Sequence, residues 1–95
     1  MTVDNEFLTI LNDCLAAIKK YSDLNTYPQY SMYKDRYDRM LRYTEDLLSA
    51  VNKGALAKDF WSLEITKMLD MNDPEELKNS VLGANKFYCK HYQKL

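Results

Sequence analysis

Glycine and proline are scarce in this chain, at two residues each in 95. That excludes collagen-like and Pro/Gly-rich disordered architectures. It also leaves too little glycine for a phosphate-cradling loop or the strained turn of a hydrolase nucleophile. Histidine occurs once, at His91, so no pair of imidazoles at helical spacing can hold a zinc ion. Two cysteines, Cys14 and Cys89, do not make a disulfide framework. The longest stretch without a formal charge is Leu24–Tyr33, only ten residues with Asn25, Thr26, Gln29 and Ser31 among them. A membrane span needs about 20 apolar residues, so no transmembrane segment is expected. An excess of one charge sign is also missing: 13 Lys+Arg stand against 14 Asp+Glu, and a net charge of −1 gives no general attraction to nucleic acid or anionic lipid. The first residues, Met1-Thr2-Val3-Asp4-Asn5-Glu6, are acidic where a secretory leader is basic, and a cytoplasmic setting is the expectation.

What is present is apolar periodicity, with 46 % hydrophobic residues, enough for one modest core in a single helical domain over 1–95. The repeat is helical almost throughout. Phe7, Leu8, Leu11, Cys14, Leu15, Ile18 and Tyr21 share one stripe, with Thr2 or Asp4 as the cap. Tyr33, Tyr37, Met40, Leu41, Thr44, Leu47, Leu48 and Val51 make a second stripe. It is preceded by a connector around Pro28, with Thr26/Gln29 or Ser31 as alternative caps, and Lys53-Gly54 form a stop signal. The opposite face carries Lys34/Asp38, Asp35/Arg39, Asp38/Arg42 and Arg42/Asp46 at four-residue spacing, suited to local pairing. A third helix over about 55–70 would carry Leu56, Ala57, Phe60, Trp61, Leu63, Ile65 and Met68 over more than half its circumference. Asp73-Pro74-Glu75-Glu76 reads as a cap, a first-turn proline and a capping box. The helix after it carries Leu77, Val81, Ala84, Tyr88, His91, Tyr92 and Leu95. The pattern predicts an all-α, antiparallel up-down-up-down four-helix bundle with helices at about 4–22, 30–53, 55–70 and 74–94.

Chemistry is hard to find in these residues. The carboxylates around Asp73 are explained by capping and lack the spacing of a calcium loop. No catalytic residues, cofactor or metal ligands are assigned, and an enzyme is not expected. His91, on the inner stripe near Tyr88 and Tyr92, is read as a partly buried histidine bonded to a tyrosine or a carbonyl. Cys14 and Cys89 are expected to stay reduced. In an antiparallel pair of terminal helices their registers differ by roughly 9 Å along the axis, beyond disulfide reach. Glu64 and Lys67 interrupt the third apolar arc and are expected at its edge.

Tyrosine is the compositional outlier, with eight residues, five of them between Tyr27 and Tyr43. Tyrosine and arginine are enriched at interface hot spots. Arg36, Arg39, Arg42 and Tyr43 therefore form the first candidate partner-binding patch, followed by Tyr27 and Tyr30, then Phe60 and Trp61. Asp35, Asp38, Glu45 and Asp46 cancel the field of the arginines, so nucleic acid is not the expected partner of that face. In length, charge balance and expected helix count the chain resembles the pediocin-like bacteriocin immunity proteins, small four-helix bundles. The resemblance is one of architecture alone, with no shared motif. The expectation is a small non-enzymatic protein-binding module: an inhibitor, an immunity protein or a regulatory adaptor. Two other readings stand beside it, a homodimer joined through the broad third arc and a weak nucleic-acid or membrane-surface binder using Lys86, Lys90 and Lys94.

Overall fold

Thr2 caps the first helix by accepting the Asn5 N–H at 3.1 Å, and α1 then runs Val3–Tyr21. Asp4 and Glu6 lie in its first turn and Lys19 and Lys20 in its last, each sign matched to the helix dipole. Pro28 opens a 3-10 turn, Pro28–Tyr33, which leads directly into α2, Lys34–Asn52. Neither Thr26 nor Ser31 caps α2, since its entry has no side-chain cap and the Thr26 hydroxyl instead donates to Asp23. Gly54 ends this part of the chain at φ +65°, the left-handed geometry that the Lys53-Gly54 stop signal requires. A second 3-10 turn covers Glu64–Met68, and α3 spans Glu75–His91. The computed structural model describes residues 2–54 and 63–92, for Glu64 the backbone only. Every regular element among the described residues is helical.

The helix directions follow from named contacts. Lys20, at the end of α1, reaches Glu76 at the start of α3, and Tyr92 at the far end of α3 reaches Asp4. Tyr21 packs on Tyr30 just before α2. Thus α2 and α3 both run antiparallel to α1 and parallel to each other, and their N-termini meet at one end of the molecule. α1 packs against both, while α2 and α3 make no extended contact with one another, and the second 3-10 turn touches both. The core contains Phe7, Leu11, Cys14 and Ile18 from α1, Tyr37, Met40, Thr44 and Leu47 from α2, and Leu77, Val81, Ala84 and Tyr88 from α3. The three stripes therefore fall where their periodicity placed them, apart from His91, which is exposed, and Leu95, which lies outside the described residues.

The expected third helix requires a correction. Three α-helices are found among the described residues, and a four-helix bundle is not established. Residues 55–62, Phe60 and Trp61 among them, lie outside the described residues. Over 63–70 the chain is not α-helical: Leu63 and Leu69 are extended and flank the short 3-10 turn. Leu63 and Ile65 would point about 200° apart on an α-helix, yet both are buried, at 4 % and 1 % exposure. An apolar arc too wide for one helix face is here the trace of an irregular segment turning near-alternate residues inward. Tertiary bonds hold it so: the Leu63 N–H donates to Asn85 Oδ1 at 2.7 Å and the Met68 carbonyl accepts from Arg36 at 2.7 Å. Lys67 is exposed, as expected of an edge position.

Candidate functional site

The densest polar arrangement sits where the N-termini of α2 and α3 meet. Arg36, in the first turn of α2, makes a two-pronged pair with Asp73: Nη2 to Oδ1 at 2.6 Å and Nη1 to Oδ2 at 2.8 Å. The Tyr37 hydroxyl donates to Oδ1 at 2.9 Å, and the Asp70 N–H donates to Oδ2 at 2.9 Å. Each carboxylate oxygen therefore accepts two bonds, which fills the roughly four acceptor positions a carboxylate offers. Burial alone would raise the Asp73 carboxyl, but Arg36, the Asp70 N–H and the Tyr37 hydroxyl together hold it below its usual value. Burial, reinforced by the bond to Asp73, pushes the Tyr37 hydroxyl well above its usual range. A carboxylate with every acceptor position taken is a joint between chain segments. It can serve as a general base or a metal ligand only by giving up one of these bonds.

Asp73 was the expected cap of the last helix, and that expectation is corrected. The chain enters α3 through Pro74 with no side-chain cap, and Glu76 reaches across to Lys20 at 2.8 Å instead of closing a capping box. The burial of Asp73 explains the change: a carboxylate at 0 % side-chain exposure needs a cation, and Arg36 supplies one. Arg36 had been expected on the solvated face with Arg39, Arg42 and Tyr43, and that too is corrected. Its guanidinium turns inward and lies over the rings of Tyr33 and Tyr37, at 4.9 and 5.1 Å from their centroids. Arg39 and Arg42 remain exposed, and Tyr43 is half-buried against the core. The four residues of the first candidate patch are thus divided between two environments. Of the expected helix-face pairs, Lys34–Asp38 forms, and none of the other three is an ion pair among the described residues.

Tyr27 and Tyr30 do come together, but as members of a ring cluster. Tyr21, Tyr27, Tyr30, Tyr33 and Tyr37 follow one another with centroids 4.8 to 6.4 Å apart. The cluster packs the connector onto the end of the bundle and leaves Tyr27 and Tyr30 half-buried. Around it stand two side chains that the sequence did not single out. Met32 and Met71 are 79 % and 85 % exposed, well above Leu82, Val3 and Leu24, the other exposed large apolar residues among those described. Met32 precedes Arg36 by four residues and Met71 precedes Asp73 by two, so each lies close in the chain to one member of the joint. An exposed methionine leaves no mark in apolar periodicity, but the position of Arg36 could have been read. It is the arginine of α2 that the four-residue pairing left out, set among Met32, Tyr33, Tyr37 and Met40.

Elsewhere the chemistry is thin. His91 is exposed and lies against the Phe87 ring at 4.3 Å, which corrects the inward placement; its position at the end of α3 leaves the ring outside the stripe. Cys14 and Cys89 are free thiols; burial pushes the Cys14 thiol up to about 11, opposed by a hydrogen bond with Thr44. A shallow groove of about 260 Å³ between α1 and α3 is floored by Ala16 and Ala17 and edged by Asp13, Lys20, Glu76 and Ser80. Among the described residues no group of three or more His, Cys, Asp or Glu side chains is placed to hold a metal ion. No helix among them is long and apolar enough to cross a membrane. No protein-family model matches the chain, and neither a curated protein nor a solved structure does.

Proposed function

We propose that the chain is a small non-enzymatic protein-binding module whose docking surface is the tyrosine-rich end of the bundle. The observation that carries this is the pair Met32 and Met71, the most exposed large apolar side chains described, on two segments that the Arg36–Asp73 joint fixes relative to each other. Flexible, polarisable methionines on a rigid base suit an apolar partner surface. The half-buried rings of Tyr27 and Tyr30 add amphipathic contact area beside them. Arg39 and Arg42 are a secondary rim, on the exposed face of α2. Such a module works as an inhibitor, immunity or adaptor protein in a cytoplasmic setting. The proposal keeps the chain path of an up-down-up-down four-helix bundle, since residues 63–70 lie between α2 and α3 away from α1.

Affinity capture from the native host's lysate, with nuclease, tests the proposal. The parent chain should retain one stoichiometric protein, and Met32→Ser with Met71→Ser should lose it while helicity and melting temperature hold. Equal capture by the double variant overturns the methionine surface. Capture of only the chain itself replaces the module with a homodimer, and loss of captured material on nuclease treatment moves the weight to Lys86, Lys90 and Lys94.

A further inference from the structure

The methionines among the described residues divide between two environments. Met40 is fully buried, with its sulfur 3.9 Å from Arg36 Nη1, and Met68 is half-buried against the core. Met32 and Met71, at 79 % and 85 % exposure, belong to the surface proposed above for docking. Oxidation of a thioether follows its access to solvent, so the methionines open to a dissolved oxidant are those of that surface. The product, a sulfoxide, is polar. On side chains that pack so little against their own chain it leaves the fold unaltered, but it removes the apolar character that a methionine contact uses. We propose that Met32 and Met71 are reversible oxidation sites through which a peroxide turns docking off while the fold stands. The inference rests on the methionine docking surface and adds its regulation. At each site the sulfur lone pair attacks one peroxide oxygen, and an S–O bond forms as the O–O bond breaks. The departing hydroxide takes the proton of the transferred hydroxyl and leaves as water, so sulfur loses two electrons and the peroxide gains them. Methionine sulfoxide reductases, one for each sulfoxide epimer, reverse the step. The Arg36–Asp73 joint has no oxidisable group, and the Met40 sulfur beside it is shielded, so the base under the surface is unchanged.

Treatment of the full-length chain with hydrogen peroxide at neutral pH, followed by peptide mass mapping, tests the sites. Met32 and Met71 should each gain one oxygen about tenfold faster than Met40, while helicity and melting temperature hold. Oxidation of Met40 at the same rate, or a melting temperature that falls in step with oxidation of Met32 and Met71, overturns the proposal. Capture from the native host's lysate reads the switch, with small molecules removed so that the lysate's own reductases lack reducing equivalents. The oxidised chain should retain about tenfold less of the stoichiometric protein than the untreated chain, and the two reductases with a thiol reductant should restore it. Met32→Leu with Met71→Leu keeps apolar area without an oxidisable sulfur, and the capture it retains should not fall on peroxide treatment. A fall there belongs to Cys89 or another group and overturns the assignment. Equal capture before and after oxidation overturns the switch and leaves the docking surface standing. An untreated chain that captures nothing removes the docking surface and the switch with it.

Discussion

The two ends of the bundle are both aromatic and are built on different principles. At one end, Phe7 of α1 meets Phe87, Tyr88 and Tyr92, with centroids 5.0 to 6.4 Å away. The Tyr92 hydroxyl adds one bond, to Asp4. At the other end, five tyrosines, an arginine and a buried aspartate join the end of α1, the starts of α2 and α3, and two irregular segments. The first end joins two regular helices through ring packing. The second must satisfy the Met68 carbonyl and the Asp70 N–H, which no helix pairs, so it needs directional donors and acceptors. Irregular backbone sets the chemistry of the end that contains it.

Phe7→Ala strikes the ring-packed end and should have the largest effect, about 3 to 5 kcal/mol of stability by chemical denaturation, independent of pH between about 5 and 8. Arg36→Met strikes the other end and leaves the Asp73 carboxylate buried without its cation. It should cost about 3 kcal/mol, near the lower limit for a broken buried pair because the Tyr37 hydroxyl and the Asp70 N–H remain. The folded pKa of Asp73 is lowered, so the stability it contributes is present above its unfolded value and is lost as pH falls through the folded one. Without Arg36, burial raises the Asp73 carboxyl. The Arg36→Met deficit should therefore begin to shrink above the ordinary carboxylate value of about 4 and keep shrinking as pH falls, whereas the Phe7→Ala deficit should not. Equal pH profiles for the two variants would erase the distinction between the ends.

Tyr92→Phe removes the hydrogen bond to Asp4 at the ring-packed end and should cost about 1 to 2 kcal/mol near neutral pH. Burial, then the bond to Asp4, raises the pKa of that hydroxyl. Its stabilisation is thus present below the unfolded tyrosine value of about 10 and is lost as pH rises through the folded value. The smallest effect belongs to Lys20→Met. The Lys20–Glu76 pair is about half exposed at both side chains, and its removal should leave the denaturation midpoint unchanged within error.

The ring-packed end was largely legible in the sequence, and the tyrosine end was not. Phe7, Leu11, Tyr88 and Tyr92 sit on stripes with helical period, a property local to each segment. The Arg36–Asp73 pair spans 37 residues of chain, and no periodicity links its members. Asp73 also stood in a sequence context, Asp-Pro-Glu-Glu, that supports a cap on local grounds, and a tertiary partner overrode it. The same override turned the broad arc around Leu63 and Ile65 from an expected helix into a 3-10 turn. Met32 and Met71 were illegible for another reason: exposure is a property of what does not pack, and apolar patterns record only what does.

The parallel course of α2 and α3 leaves the described helices electrically lopsided. Each helix carries about half a unit of positive charge at its N-terminus and half a unit of negative charge at its C-terminus. With two of the three described helices pointing one way and α1 the other, one helix dipole stays uncancelled, its positive pole at the tyrosine end. Asp35, Glu75 and Glu76 occupy the first turns at that pole. Three full negative charges outweigh about half a unit of pole, and Glu76 and Glu75 are in addition paired with Lys20 and Lys78. Converting all three to amides would therefore move this end three units toward positive charge and favour anions there.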